Sequence, residues 1–367
     1  MTKKLVLAGA GHAHLTTVSQ IDALIKKGLS VTVISPDPYH YYSGMSPGTI
    51  EGLYKHDDIS FNIKSMVEKR GGKFIENSVE YIDPSKKIIY LKNNESIEYD
   101  ILSFNTGSRV KDIDVKNSDN IFYVKPVKNL FCLRDKIIEL TGQKSINIAV
   151  IGGGAAGVEI CSAISVLLKP EIKNISSVNL ICGNTLLPGF NKKASQTAEK
   201  ILLKNNVKII KDFAVKIENN IVYTEKNSFK SDIIVAAHGI VPHDIFKKSG
   251  LSTGVTGELL VNRFLQNVDY PDIFGGGDCI EIKNTPLLKA GVYAVRQNPF
   301  LLHNLKEFFL NQRLIPFKKT GGFIQILNMG SKTGIFIKGR IVLSGRAAFV
   351  LKNYIDTKFM KKFKKYE

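Results

Sequence analysis

Hydrophobic residues begin the chain as a short continuous run, and a spaced pattern follows it. Residues 5–8 are all apolar, as in a buried strand, and the large apolar residues after them recur at helical spacing from Leu15 to Ile25. Gly9 and Gly11 separate the two patterns. The order of strand, glycine turn and amphipathic helix predicts a dinucleotide-binding unit, in which a pyrophosphate lies against free N–H groups at the helix start.

The same order of elements returns about 143 residues later in a more complete form. Residues 148–151 are apolar, and Gly152, Gly154 and Gly157 fill the three glycine positions of the Gly-x-Gly-x-x-Gly pattern, whose third place holds His14 in the first copy. The helix should continue until Pro170 stops it. Two such units predict an α/β fold with two Rossmann-like dinucleotide-binding domains, and the economical pair of ligands is a flavin and a nicotinamide dinucleotide.

The second half of the chain contains a further element and a separate C-terminal region. Residues 273–278 form a short apolar strand that ends in three glycines and Asp278, and a helix is predicted over residues 290–309. Hairpin strands are predicted at 323–327, 333–337 and 340–343, and a helix after them. We therefore assign residues 1–112 and 251–315 to an FAD-binding domain, 113–250 to an NAD(P)H-binding domain and 316–367 to a C-terminal region.

Composition excludes several classes of protein. The chain has 367 residues, which suggests two or three domains, and its four cysteines show no paired spacing. We therefore expect no disulfide framework, no zinc site and a reducing compartment. A core strand begins within five residues of the N-terminus, and no apolar run reaches the roughly 18 residues of a membrane-spanning helix. These features predict a cytoplasmic protein.

The net charge of +18 has its clearest pattern at the C-terminus. No basic segment is interleaved with aromatic residues, so we expect no nucleic-acid partner. Between residues 352 and 367 there are six lysines, and large apolar residues stand at Leu351, Ile355, Phe359 and Phe363. This pattern predicts a basic amphipathic helix on an anionic surface, peripheral on the inner face of the cell membrane. The alternative is that the apolar stripe packs on the protein's own sheet.

Three motifs together carry a family resemblance: residues 9–14 (Gly-Ala-Gly-His-Ala-His), residues 42–48 (Tyr-Ser-Gly-Met-Ser-Pro-Gly) and the late Gly-Gly-Gly-Asp. With the second glycine turn, they resemble the FAD-dependent pyridine nucleotide-disulfide oxidoreductase superfamily, whose architecture is that of glutathione reductase. The chain is most similar to the type II NADH dehydrogenase branch, and within it to the dehydrogenase-like proteins that occur joined to selenophosphate synthetase. The resemblance extends from residue 5 to about residue 363.

The resemblance implies binding residues for both dinucleotides. The residues expected at FAD are Gly9, Gly11, His12, His14, Thr106, Gly107, Gly277 and Asp278. Ser35 ends the second strand, where an acid usually binds the adenosine ribose, and Asp37 follows two residues later, so this contact is expected in a shifted position. The residues expected at NADH are Gly152, Gly154, Gly157, Glu159 and Gly239, with Glu159 near the nicotinamide.

The resemblance also implies a quinone pocket at the start of the helix near residue 290. Lys289, Arg296 and Gln297 are the residues expected there, beside the flavin ring. Lys289 is expected to bind the cofactor, and Arg296 and Gln297 are with Glu159 the expected catalytic residues. Arg296 stands where the type II dehydrogenase pattern usually has glutamine, which leaves the electron acceptor open. Cys182 ends the second strand of the second unit and no arginine follows promptly, so NADPH remains an alternative to NADH.

Several kinds of chemistry are not expected. Disulfide reductases of this superfamily carry a cysteine pair where this chain reads Gly44-Met45-Ser46-Pro47, and sulfide:quinone oxidoreductases need cysteines that flank the flavin. Cys161, Cys182 and Cys279 instead have the pattern of ordinary buried cysteines. His12 and His14 have no cluster of acids or cysteines beside them, so no metal is expected.

The sequence thus predicts hydride transfer from NADH to flavin, followed by transfer of two electrons to a quinone-like acceptor. One alternative is the same flavin scaffold with a sulfur- or selenium-linked donor or acceptor. A second alternative is a non-catalytic flavin redox sensor. The oligomeric state is left open.

Overall fold

The computed structural model describes residues 2–168, 177–319 and 321–367. Pro170, the predicted stop of the second-unit helix, lies outside these residues; the helix itself is described to Leu167. Among the described residues, no helix is both long and apolar enough to cross a membrane.

The strands up to residue 123 are short. They are β1 (Lys3–Ala8), β2 (Leu29–Ser35), β3 (Tyr39–Tyr41), β4 (Ser60–Asn62), β5 (Lys73–Glu76), β6 (Val79–Asp83), β7 (Ile88–Leu91), β8 (Ser96–Glu98), β9 (Ile101–Phe104), β10 (Arg109–Val110), β11 (Asp114–Lys116) and β12 (Ile121–Tyr123).

The strands after residue 123 supply the second sheet, the late glycine element and the C-terminal meander. They are β13 (Asn147–Ile151), β14 (Ser177–Ile181), β15 (Val207–Ile210), β16 (Ala214–Glu218), β17 (Ile221–Thr224), β18 (Ser228–Lys230), β19 (Ile233–Ala236), β20 (Ile240–Val241), β21 (Leu259–Val261), β22 (Ile273–Gly275), β23 (Ile280–Ile282), β24 (Gln325–Asn328), β25 (Gly334–Lys338) and β26 (Ile341–Gly345).

Among the described helices, the two longest have 19 residues each, and three others have 13 each. The helices are α1 (Leu15–Ser19), α2 (Ile21–Ile25), α3 (Pro47–Ile50), α4 (His56–Ile59), α5 (Ile63–Glu68), α6 (Asn129–Thr141), α7 (Ala155–Leu167), α8 (Lys192–Lys204), α9 (Ile245–Lys248), α10 (Gly291–Phe309) and α11 (Arg346–Lys364). The helix predicted after the first glycine turn is interrupted at Gln20, whose N–H bonds to Thr17 O in the tighter i→i+3 pattern.

Two parallel five-stranded sheets form the centre of the fold, as the sequence predicted. The first has the order β22-β9-β1-β2-β5 and the second the order β12-β19-β13-β14-β15. The α/β fold with Rossmann-like sheets is therefore confirmed. The first sheet takes strands from residues 3–104 and again from 273–275, and the second from residues 121–236. The predicted domain boundaries stay predictions.

The C-terminal region is a three-stranded antiparallel meander, β24-β25-β26, followed directly by α11. The three predicted hairpin strands are confirmed to within about two residues at their ends, and the predicted terminal helix follows them. The helix packs against the meander on one side and against the first domain's core on the other, through Met360 and Phe363.

Candidate functional site

A cavity of about 640 Å³ lies at the carboxyl ends of the first sheet, where ligands bind in open parallel sheets. One wall is the glycine turn after β1, and a second is the segment after β9. Segment 125–128, which follows β12 of the second sheet, closes the cavity from the other half of the molecule. The predicted FAD residues that line it are Gly9, Gly11, His12, Ser35, Asp37, Thr106, Gly107, Gly277 and Asp278.

Asn105 fixes the first glycine turn. Its side-chain oxygen accepts a hydrogen bond from Ala13 N–H at 2.9 Å, and its amide nitrogen donates to Gly276 O at 2.6 Å. A Cβ atom at Gly9 or Gly11 would lie 2.4 Å from an Asn105 oxygen, and Gly9 has a φ of +86°. Both glycines are therefore required by the close approach of Asn105. Asn105 was not predicted from the sequence, where its only signal is its place directly after the apolar residues of β9.

The two histidines of this turn occupy different places. His14 is fully buried behind the turn, where its Nδ1–H donates to Gly9 O at 2.6 Å and its Nε2 pairs with Ser103 Oγ at 2.8 Å. It does not line the cavity. His12 does, and its Nδ1 lies 3.2 Å from His40 Nε2. Burial lowers the pKa of both His12 and His14 to about 4, so both are neutral at pH 7.

Acids stand at both ends of the cavity, each beside a lysine from segment 125–128. Asp278 Oδ2 lies 2.9 Å from Lys125 Nζ, and Asp37 Oδ2 lies 2.9 Å from Lys128 Nζ. Burial would raise the pKa of Asp278, but Lys125 and the Ser108 hydroxyl outweigh it and hold that pKa below its usual range. Asp278 is therefore an ionised carboxylate at the cavity wall, able to accept hydrogen bonds from a polyol.

These residues fit FAD. The cavity is lined by Asp278 after β22, by the glycine turn after β1 and by Asp37 after β2, strands that stand in this order across the sheet. This order matches a molecule with a ribityl chain, a pyrophosphate and a ribose. The Thr106 hydroxyl, at the same wall, has no hydrogen-bond partner in the described part of the chain. A buried polar group without a partner is costly unless a ligand satisfies it.

The predicted acceptor-side residues lie behind Asp278. Gln297 Oε1 accepts from Gly277 N–H at 2.7 Å, and Lys289 Nζ donates to Asp278 O at 3.1 Å while pairing with Glu258 at 3.0 Å. Both hold the glycine–aspartate turn from outside and line a second cavity of about 210 Å³. The guanidinium of Arg296 instead lies over the Phe323 ring, 5.8 Å from its centroid.

The second glycine turn combines close packing with open space. A Cβ at Gly157 would lie 1.9 Å from Gly152 O, and one at Gly152 would lie 2.3 Å from Ala237 O, so these two glycines serve the packing of β13, α7 and β19. Gly154 precedes α7, and Gly239 follows β19; a Cβ at either would meet nothing within 4 Å. This leaves room at the N-terminus of a 13-residue helix, where a pyrophosphate binds.

Glu159 faces the C-terminal region. Its carboxylate accepts from Asn328 N–H at 2.7 Å, and burial raises its pKa to about 7 although the Lys352 ammonium acts against the shift. Lys352 forms an ion pair of 2.6 Å with Asp356, which also accepts from the Tyr42 hydroxyl at 2.9 Å. This role of Lys352 and Asp356 was not predicted from the sequence, where their only signal is two opposite charges four residues apart within an apolar pattern.

Thiol chemistry finds no support in the described residues. Cys161, Cys182 and Cys279 are buried, and burial raises the pKa of each thiol. Cys132 is exposed on α6, and no cysteine lines either cavity. Within the same described ranges, no group of three histidine, cysteine or acidic side chains is placed to hold a metal ion.

Comparison with known proteins supports this architecture. Residues 3–298 match the family model described as pyridine nucleotide-disulphide oxidoreductase. The type II NADH:quinone oxidoreductase of Staphylococcus saprophyticus is 24% identical over 97% of this chain and 94% of its own length. The structure of NDH2 from Plasmodium falciparum superposes with a TM-score of 0.86 at 16% identity, covering 100% of this chain and 96% of that one.

A further structure resembles the chain almost equally well. The sulfide:quinone oxidoreductase of Aquifex aeolicus superposes with a TM-score of 0.82 at 20% identity, covering 100% of this chain and 92% of that one. At these identities the structural likenesses establish the fold, and the family match establishes the class of enzyme. The chain therefore belongs to the pyridine nucleotide-disulphide oxidoreductase family, as a flavin-dependent NAD(P)H oxidoreductase.

Proposed function

We propose that this chain transfers electrons from NADH through FAD to a quinone-like acceptor. The observation that carries the proposal is the cavity that runs from Asp37 past the first glycine turn to Asp278 and the start of α10. FAD, when bound there, would supply the redox chemistry, accepting a hydride and returning two electrons. The protein supplies binding, orientation and proton transfer.

The roles of the individual residues follow from their contacts. Asp278, held ionised by Lys125, would bind the hydroxyl groups of the ribityl chain, while Gln297 and Lys289 keep its turn in place. Reduction of a quinone by NADH consumes one proton from solution. Glu159, with a pKa of about 7, can hold and release a proton near neutral pH, and Lys352 lies close enough to affect that pKa. We propose Glu159 as a store for this proton, beside Asn328 of β24, rather than as a group in contact with FAD, because it is not among the residues that line the two cavities.

The lack of a thiol at either cavity favours a quinone-like acceptor over the sulfur- or selenium-linked alternative. The similarity to a type II NADH:quinone oxidoreductase over almost the whole of both chains points in the same direction.

Anaerobic titration of the FAD-loaded protein tests this function. We expect NADH to bleach the flavin absorbance and a short-chain quinone to restore it. The variant Asp278→Asn should bind FAD more weakly, because the amide loses the charge that pairs with Lys125, whereas the surface variant Asp135→Asn serves as its control. Flavin that NADH cannot bleach would contradict the proposal, and flavin that is bleached but not reoxidised by quinone would exclude the acceptor.

We also propose that the outer face of the C-terminal region binds an anionic membrane surface. α11 and β26 present exposed apolar residues on this face: Ile341, Leu343, Val350, Leu351, Tyr354 and Ile355. Lysines are frequent in the last turns of α11. Each lysine near an anionic membrane surface strengthens binding by about 1 kcal/mol.

Flotation with anionic liposomes tests membrane binding without disturbing the core. Ile355→Asp changes a side chain that is 42% exposed on α11, and Ile138→Asp changes one that is 47% exposed on α6. We expect the first variant to float less than the unmodified chain and the second to float equally well. Equal flotation of both variants, or none by the unmodified chain, would refute membrane binding through this face.

A further inference from the structure

Two histidines form a hydrogen-bonded pair in the wall of the FAD cavity. His12 Nδ1 lies 3.2 Å from His40 Nε2, and both residues line the cavity. The other ring nitrogen of His12, Nε2, is buried and has no hydrogen-bond partner in the described part of the chain. A buried polar atom without a partner is costly unless a ligand satisfies it. The family resemblance implies that His12 contacts FAD, but it gives the imidazole no role.

Aromatic rings hold this pair in place. The ring of Phe359 on α11 stacks on the His12 ring with 5.9 Å between centroids, and the Tyr42 ring lies 5.4 Å from it. The His40 ring is nearly parallel to that of Phe61, with 12° between the two planes. His12 is only 9% exposed. The surrounding rings therefore fix the orientation of the pair and leave open which of its nitrogens carry protons.

The pair is neutral at pH 7, and its protons have two possible arrangements. Burial lowers the pKa of His12 to about 4 and that of His40 well below its ordinary value. In the first arrangement His40 Nε2–H donates to His12 Nδ1, so that His12 Nε2 carries a proton and is a hydrogen-bond donor. In the second, His12 Nδ1–H donates to His40 Nε2, and His12 Nε2 is an acceptor.

Negative charge in the cavity favours the donor arrangement. The Asp278 carboxylate acts on His12 electrostatically, and its effect exceeds that of the Lys125 ammonium. The diphosphate of FAD would add further negative charge, towards which an N–H is favourable and a lone pair is not. Transfer of a hydride to the neutral flavin ring leaves one more negative charge there. A donor at this place should therefore stabilise reduced FAD more than oxidised FAD.

We propose that His12 donates a hydrogen bond through Nε2–H to the flavin half of bound FAD and thereby raises its midpoint potential. His40 is a positioning residue, which keeps the proton of His12 on Nε2. The contact belongs to the flavin half because Asp278, the expected ligand of the ribityl chain, is the charge that acts most on His12. The inference rests on the proposed function only in placing FAD in this cavity, and neither NADH nor a quinone enters it.

Equilibrium titration of the FAD-loaded protein against a redox dye of known potential measures this effect without NADH or quinone. His12→Phe keeps an aromatic ring against Phe359 and Tyr42 but removes both nitrogens. We expect this variant to bind reduced FAD about tenfold more weakly, relative to oxidised FAD, because one charge-assisted hydrogen bond is lost. For a two-electron couple this difference lowers the midpoint potential by about 30 mV.

Further variants separate the hydrogen bond from the loss of the imidazole ring. His12→Gln retains an amide N–H and should recover most of the potential. His40→Phe leaves His12 in place but no longer keeps its proton on Nε2, so the potential should fall less than in His12→Phe. His303→Phe is the matched control and should leave the potential unchanged. Within the described residues, His303 Nε2 is also buried without a partner, but His303 lines neither cavity.

Two results would overturn the inference: an unchanged midpoint potential in His12→Phe, or an equal fall in His303→Phe. If His12→Phe does not retain FAD, the measurement is made on His40→Phe, and an unchanged potential there has the same meaning. These outcomes are distinct from failure of the proposed function. A protein whose potentials change as expected, but whose flavin NADH cannot reduce, would keep the inference on His12 and lose the electron-transfer proposal.

Discussion

At the scale of single residues, the glycines of the second turn serve two purposes that their spacing does not distinguish. Gly157 lies against the carbonyl of Gly152, whereas Gly154 faces open space. Glycine is needed at 157 for the packing of helix on strand, and at 154 for the space that a phosphate requires. Substitution by alanine, which adds only one Cβ, separates these purposes.

We expect Gly157→Ala to destabilise the fold and Gly154→Ala to spare it. The new Cβ at residue 157 would lie 1.9 Å from Gly152 O, so α7 must move away from β13, at a cost of about 1–3 kcal/mol. At residue 154 the loss of unfolding free energy should be under about 1 kcal/mol, because this residue caps α7 and its new Cβ would meet nothing within 4 Å. NADH affinity should still fall in Gly154→Ala. Urea unfolding and NADH titration measure both effects; equal destabilisation would contradict this assignment.

Glu159 gives a pH dependence that can be predicted with its sign. Because its pKa is raised to about 7 from the ordinary 4.5, the folded protein binds more protons than the unfolded chain between these values. The contribution of Glu159 to the unfolding free energy should therefore fall as pH rises through this window, by about 3 kcal/mol in all. Glu159→Gln removes this loss. The unfolding free energy of the variant should therefore rise relative to that of the unmodified chain as pH rises from 4.5 to 7.

Urea unfolding at several pH values measures the difference between the two proteins. His12 and His14, whose lowered pKa values cost stability as pH falls below 6.5, are present in both proteins, so their contribution cancels in the difference. Glu139→Gln, on the exposed side of α6, is the control. A difference that stays constant with pH would show that Glu159 does not hold its proton.

At the scale of elements, α11 shows how an apolar pattern can serve two surfaces. Residues spaced by four advance about 40° around a helix at each step, because four residues exceed one turn of 3.6. From Leu351 to Phe363 the stripe therefore turns by about 120°. Leu351 and Ile355 are exposed, whereas Phe359 and Phe363 pack on the first core. The membrane and packing alternatives thus concern different halves of one helix.

The C-terminal half of α11, which packs on the first core, should matter for stability, whereas the exposed N-terminal half should not. Phe363 is 2% exposed and contacts the Phe61 ring edge-on, so Phe363→Ala should cost about 3–5 kcal/mol. Ile355→Ala should cost less than about 1 kcal/mol, because much of this side chain is already in solvent. Chemical unfolding of both variants checks this, and similar losses would mean that α11 packs with its other face.

What could be predicted from the sequence was local, and what could not was long-range. A strand, a glycine turn and a helix lie within about 20 residues, so both units and the late Gly-Gly-Gly-Asp element were recognisable. Asn105 contacts a turn 92 residues away, and nothing near it marks that contact. Lys211 comes near Cys182 only because β15 pairs with β14. His14 follows the motif, but its contacts place it behind the turn.

At the scale of the whole molecule, the FAD cavity joins the two halves. Asp37 follows β2 and Asp278 follows β22, two strands of the first sheet, and the lysines that pair with them follow β12 of the second sheet. A ligand that fills this cavity must contact both halves at once. Its binding to the folded state alone adds stability, about 2.7 kcal/mol at a free concentration one hundred times the dissociation constant.

Hydrogen exchange can show whether FAD connects the halves in this way. We expect FAD to slow amide exchange in the first glycine turn, in residues 105–108 and in residues 125–128, because all three segments line one cavity. AMP, which resembles only one end of FAD, should protect residues near Asp37 and leave those near Asp278 unchanged. Lys125→Gln should reduce the protection of residues 125–128 by FAD, whereas Lys136→Gln, on the surface of α6, should not. Protection by FAD confined to the first domain would mean that the second half closes over the cavity without holding its ligand.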